Sequence, residues 1–115
     1  MSYNLGGRKM FEFLKRDDTK VIHVNDLDDL IGKIELIDIR ETYEYQGGSL
    51  KTAKNIPMGN LLDEPTKYLN KDKTYYIMCQ SGARSGQASR VLVKQGFHIV
   101  NVSGGMGSYA GTKRK

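Results

Sequence analysis

The chain has 115 residues, 38% of them hydrophobic and 27% charged, which fits one globular domain and leaves no room for two. Folding at this size removes about two-thirds of the unfolded chain's accessible surface, so a core forms without metal or disulfide staples. The single cysteine, Cys79, excludes an intrachain disulfide, and the net charge of +5 admits anionic partners without choosing among them.

The N-terminal stretch MSYNLGGRKMFEFLKRDD carries too many charges for the apolar segment of a signal peptide. Residues 1–20 are expected to form an extension, with Met10, Phe11, Phe13 and Leu14 as an amphipathic patch packed on the domain. Val21-Ile22-His23-Val24 reads as a first strand, and Asn25 or Asp26 as the cap of a helix carrying Leu27, Leu30 and Ile31 and stopping at Gly32. Ile34 to Ile39 is a buried strand, and the charged, aromatic segment after it a short helix ending at Gly47-Gly48. Asn55 to Met58 is extended, because the residue before Pro57 is pushed out of the α region. Leu61, Leu62, Tyr68 and Leu69 mark one or two short helices interrupted around Pro65.

Thr74 to Met78 is the strongest strand signal. Ala83 to Gln95 follows as a helix with Ala88, Val91, Leu92 and Gln95 along one side, ended by Gly96. Ile99 to Val102 is the last strand, and Ser103-Gly104-Gly105 turns into a short closing segment. Nearly all-apolar strands separated by helices imply parallel pairing with helices on both faces, a three-layer α/β/α fold. Residues 21–110 form the domain, and residues 111–115, with Lys113, Arg114 and Lys115, a basic flexible tail.

The chemistry is expected at Cys79. In an open parallel sheet, ligands sit beyond the carboxyl ends of the strands, where strand-to-helix loops aim their N–H groups. Cys79 follows the Thr74–Met78 strand directly, and Ser81, Gly82 and Ala83 let the chain curl before the helix. A thiol at the mouth of such a curl faces amide dipoles and a helix N-terminus, both of which favour the thiolate. Free cysteines are usually small buried hydrophobes. Here the flanking Gln80, Ser81, Gly82, Ala83, Arg84 and Ser85 are too polar and turn-prone for a core position.

Cys79-Gln80-Ser81-Gly82-Ala83-Arg84-Ser85 resembles the active-site loop of the rhodanese family, the thiosulfate sulfurtransferases and their single-domain relatives. Ile37-Asp38-Ile39-Arg40-Glu41 with Tyr43-Glu44-Tyr45, the turn from Gly48 to Pro57, and Gly104-Gly105 with Tyr109 are similar to the family's other landmarks, in its order. Ser49, Lys51 and Thr52 stand where the family usually has His, Pro and Gly, and Tyr109 where it has Trp. The resemblance implies a five-stranded parallel sheet in the order 1-5-4-2-3. It also implies a sulfurtransferase in which Cys79 takes a sulfane sulfur from thiosulfate or a similar donor, holds it as a persulfide, and passes it to cyanide, a thiol or a sulfide carrier.

Backbone N–H groups from Gln80 to Ser85 would cradle the sulfur-bearing anion. Arg84 either clamps an oxyanion or pairs with a nearby carboxylate, and Ser85 either caps the helix or donates to the bound sulfur. Asp38 and Arg40 are expected to buttress the loop, with Arg40 also within reach of substrate. Met106 and Tyr109 are candidate pocket walls. His23 and His98 lack a Cys, Asp or Glu grouping at metal spacing, so neither metal nor cofactor is expected.

The expected partners are a small anionic sulfur donor, a thiophilic acceptor and a sulfur-relay protein. Nucleic acid and membrane are not expected, for the sequence has no aromatic-interleaved basic stripe and no apolar run of the roughly 18–20 residues a bilayer requires. The expected address is the reducing cytoplasm. One rival is a non-catalytic persulfide carrier or interaction module. A second is a cysteine-dependent phosphatase or arsenate reductase, whose loop resembles Cys-x-x-x-x-x-Arg. Only four residues separate Cys79 from Arg84, and the shorter curl suits a single sulfur atom better than a tetrahedral oxyanion.

Overall fold

The computed structural model describes residues 19–115, so the patch at Met10 to Leu14 lies outside the described residues. Five strands, β1 (Lys20–His23), β2 (Glu35–Asp38), β3 (Lys54–Asn55), β4 (Thr74–Met78) and β5 (His98–Ser103), form one all-parallel sheet in the order β1-β5-β4-β2-β3. The topology and the α/β class are those expected.

The pleat of the two central strands divides the apolar residues between two cores. Ile37 and Ile39 with Ile77 and Cys79 face one side, against Leu61, Leu69, Ala88, Leu92 and Phe97. Leu36, Met78 and Val102 face the other, against Val24, Leu27, Leu50, Met106 and Tyr109. The first side is closed by α2 (Met58–Asp63), α3 (Pro65–Tyr68) and α4 (Ala83–Lys94), and α1 (Thr42–Gln46) and α5 (Gly105–Ser108) complete the helices among the described residues. Pro65 opens α3 at the first helical position, where its missing N–H is no loss.

Three expectations are corrected. Leu27, Leu30 and Ile31 do not lie on an α-helix: Val24–Asp26 is a 3-10 turn, Asn25 donates its N–H to His23 Nδ1, and successive turns run to Lys33. Val91 lies on the solvent side of α4 at 38% exposure, while Ser85, Gly86, Ala88, Ser89 and Leu92 are its buried residues. The C-terminal residues are held: Lys51 donates its N–H to the Lys113 carbonyl at 2.7 Å, Lys115 N–H reaches the Ser49 carbonyl at 3.0 Å, and Leu50 bridges Arg114. The tail contributes backbone groups to an antiparallel bridge, and its charged side chains conceal that from a reading of composition. The turn from Gly48 to Pro57 keeps its course with Thr52 at φ 69°, a left-handed conformation that explains why glycine is usual there.

Candidate active site

Register brings the site together. Asp38 pairs with Met78 across β2 and β4, and Ile39 donates its N–H to the Met78 carbonyl at 2.9 Å, so Cys79 leaves the sheet beside Ile39 and Arg40. Beyond Cys79 the chain curls through Gly82, the N-cap of α4, at φ 98°. A Cβ there would lie 3.1 Å from the Gly104 nitrogen, so glycine is required both by conformation and by close packing on the β5 turn. The carbonyls of Cys79 and Gln80 point away from the curl and accept N–H groups of Met106 at 3.0 Å and Gly107 at 2.8 Å.

Two of the loop's amides converge on sulfur. Gly82 N–H lies 3.1 Å and Ser85 N–H 3.3 Å from Cys79 Sγ, and Ser85 Oγ is 3.4 Å away. With the thiol protonated, Cys79 Sγ donates to the Ser85 hydroxyl oxygen and that hydroxyl donates to the Gly82 carbonyl at 3.3 Å. Loss of the thiol proton lets the hydroxyl turn and donate to the sulfur instead. Burial raises the Cys79 pKa, but the Ser85 hydroxyl and the N–H groups of Ser85, Gly82 and Ser81 outweigh it, and the thiol lies below its ordinary value.

Cys79 itself is 0% exposed. It forms the floor of the curl, not its mouth as expected, because it continues the inward alternation of Ile77 on β4. Its loop neighbours Gln80, Ser81 and Ala83 are exposed.

Asp38 and Arg40 form a buried network at the end of β2. Arg40 Nε and Nη2 donate to the Asp38 carboxylate, Nη2 to Asp38 Oδ2 at 2.9 Å and to the Gly48 carbonyl at 2.6 Å, and Nη1 to Gln80 Oε1 at 3.1 Å. Ser49, standing where the family has His, donates its hydroxyl to Asp38 Oδ2 at 2.7 Å. Asn55 Nδ2 donates to the carbonyls of both Asp38 and Arg40 at 3.0 Å. Ser49 and Asn55 were not among the residues singled out for the site. Their only sequence signal was a small polar residue at each end of the turn.

Arg84 adopts the pairing alternative. Its Nη1 and Nη2 donate to Glu44 Oε1 and Oε2, each at 2.9 Å. The guanidinium holds the Glu44 carboxyl down to about 2, and Glu44 in turn raises the Arg84 pKa. Glu44 also accepts the Glu41 N–H at 3.0 Å, so it closes a capping box at the start of α1 while gripping the first turn of α4.

Two roles are corrected. Gly82, not Ser85, is the cap of α4, since Ser85 already lies inside the first helical turn on the sulfur side. Met106 and Tyr109 pack in the core on the opposite face from Cys79, and the Tyr109 hydroxyl donates to Asp28 Oδ1 at 2.6 Å, so neither walls the curl. Ala83 N–H is also turned from the sulfur, reaching Ser81 Oγ at 3.3 Å. Among the described residues, no group of His, Cys, Asp and Glu could hold a metal ion, and no helix is long and apolar enough to cross a membrane.

Comparison with known proteins agrees with this architecture. The family described as "Rhodanese-like domain" matches residues 23–112. "Putative sulfurtransferase YtwF" of Bacillus subtilis (strain 168) is 43% identical over 84 residues, 72% of this chain and 81% of that protein. "Putative sulfur carrier protein YrkF" of the same organism is 35% identical over 79 residues, 68% of this chain and only 42% of that protein. A crystal structure of a rhodanese-like domain protein from Staphylococcus aureus superposes with a TM-score of 0.75 at 29% identity, covering 84% of this chain and 97% of that one.

Proposed function

This chain belongs to the rhodanese-like domain family, and we propose that it moves a sulfane sulfur from thiosulfate or a similar donor to a thiophilic acceptor through a persulfide on Cys79. The observation that carries the reading is the convergence of two amide N–H groups and the Ser85 hydroxyl on one sulfur atom at the head of α4. Such preorganised donors favour a charged sulfur, whether the thiolate or the terminal sulfur of a persulfide.

In the first half-reaction the Cys79 thiolate attacks the sulfane sulfur of the donor. The new Sγ–S bond forms as the donor's S–S bond breaks, and sulfite leaves with its electron pair. In the second, a cyanide or thiolate acceptor attacks the outer sulfur, and the Sγ–S electron pair returns to Sγ. No oxidant is consumed, and the two steps predict ping-pong kinetics. Gln80, Ser81, Gly82, Ala83, Arg84 and Ser85 form the donor-binding curl. Asp38 and Arg40 hold its near end through Gln80. Because Cys79 is covered, entry of the donor requires the exposed residues at the crown of the curl to shift.

A second reading, carriage of sulfur between proteins, is favoured by the similarity to a protein named as a sulfur carrier. The same cradle serves both, with a sulfur-relay protein as partner, and a reducing compartment such as the cytoplasm suits the lone thiol. Turnover with thiosulfate and cyanide decides between them. Catalysis predicts steady thiocyanate formation with parallel double-reciprocal lines, whereas carriage alone predicts loading only by a protein donor.

A further inference from the structure

Both arginines at this site already hold a carboxylate. Arg40 is closed on Asp38 in the interior, and Arg84 meets Glu44 through two parallel bonds of 2.9 Å. The second pair spans the site, since Glu44 belongs to α1, after β2, and Arg84 to the first turn of α4, after β4. Charge on Cys79 is felt at Arg84, and charge on Arg40 at Glu44, so all four groups share one electrostatic neighbourhood. Glu44 does not swing freely, because the Glu41 N–H fixes Oε1.

This arrangement bears on the charge of the donor. A compact dianion needs a cation as it approaches an anionic sulfur, and the cation at the head of α4 is taken. Either the dianion displaces Glu44 from a bidentate pair, or it approaches a guanidinium whose charge Glu44 already offsets. A monoanionic thiosulfonate presents the same sulfane sulfur with one charge fewer.

We propose that Glu44 is a specificity-determining residue which, by occupying Arg84, disfavours dianionic sulfane donors relative to monoanionic ones. The inference rests on the sulfur-transfer reading above. In either case the donor's S–S bond breaks as Sγ–S forms, and the electron pair leaves on sulfite from thiosulfate or on methanesulfinate from methanethiosulfonate.

The test compares kcat/KM for thiosulfate with kcat/KM for methanethiosulfonate, using the full chain and cyanide as acceptor. Glu44→Gln keeps an oxygen for the Glu41 N–H and removes the charge, and it should raise the thiosulfate-to-methanethiosulfonate ratio about tenfold. Glu44→Asp, too short to hold the fork, should raise it less but in the same direction. Adding Arg84→Gln to Glu44→Gln should cancel the gain, since the released cation is then gone. A merely structural role for Glu44 would lower both constants together and leave the ratio still. A ratio unchanged or lowered in the Glu44 variant that folds overturns the inference. If both donors load sulfur on Cys79 while the ratio fails to move, only this inference falls. If neither donor loads it, the sulfur-transfer reading falls too.

Discussion

Arg40 Nη1 donates to Gln80 Oε1 at 3.1 Å across 40 positions of sequence, joining the ion pair at the end of β2 to the residue that follows the cysteine. The link matters because Asp38 is 0% and Arg40 4% exposed, so each charge depends on the other and on the carbonyl and hydroxyl around them. Removing one partner strands the second in the interior. Arg40→Ala should therefore destabilise the fold by about 3 kcal/mol, read as a lowered urea midpoint with an unchanged slope. A loss below about 0.5 kcal/mol would mean that water replaces the guanidinium and that the network does not brace the loop.

Ser85 places both its N–H and its hydroxyl on the cysteine sulfur. The thiol pKa lies below its ordinary value of 9.0 through these contacts, so the thiolate fraction rises to its plateau at a lower pH than for a free cysteine. Ser85→Ala removes one of the donors. The inflection in a pH profile of alkylation by a small haloacetamide should move upward, and kcat/KM should fall about tenfold. An unmoved inflection would assign the effect to the backbone alone.

Glu44 gives a second pH dependence. Its folded pKa, about 2, is depressed from 4.5 by Arg84, so the stabilisation from the pair is full above 4.5 and is lost as pH falls toward 2. Acid unfolding followed by circular dichroism should thus begin below pH 4.5, with Glu44→Gln showing a shallower loss across that window. Parallel curves for the two proteins would show that the pair contributes nothing measurable in solution, as many exposed ion pairs do.

Thr52 occupies the left-handed region at φ 69°, where a β-branched side chain is strained. Thr52→Gly relieves the strain at the expense of a more flexible unfolded chain, and the balance should be a gain of about 0.5–1 kcal/mol in thermal or urea unfolding. A net loss would show that the surrounding turn has relaxed to accept threonine.

Much of this molecule was legible in its sequence for physical reasons. The strands Glu35–Asp38, Thr74–Met78 and His98–Ser103 are buried inside the sheet and so read as apolar runs, and Cys79-Gln80-Ser81-Gly82 announced a turn by composition. The stretch after Leu27 was not legible. Leu27, Leu30 and Ile31 satisfy helical spacing, yet the Ile31 N–H to Leu27 carbonyl bond at 3.1 Å closes a single turn before Gly32 swings to φ 93°. The Glu44–Arg84 fork and the Arg40–Gln80 link were hidden for another reason. Each joins residues 40 apart, and only the register of β2 against β4 brings them together.

The central claim is that Cys79 accepts and releases a sulfane sulfur. Mass spectrometry of the intact chain after brief treatment with thiosulfate measures it directly. The predicted result is a gain of one sulfur atom, mapped to the peptide containing Cys79, absent in Cys79→Ser and removed by cyanide with thiocyanate formed in equal amount. A chain that stays at its original mass with both thiosulfate and a thiosulfonate, while Cys79 remains reduced and folded, would contradict it.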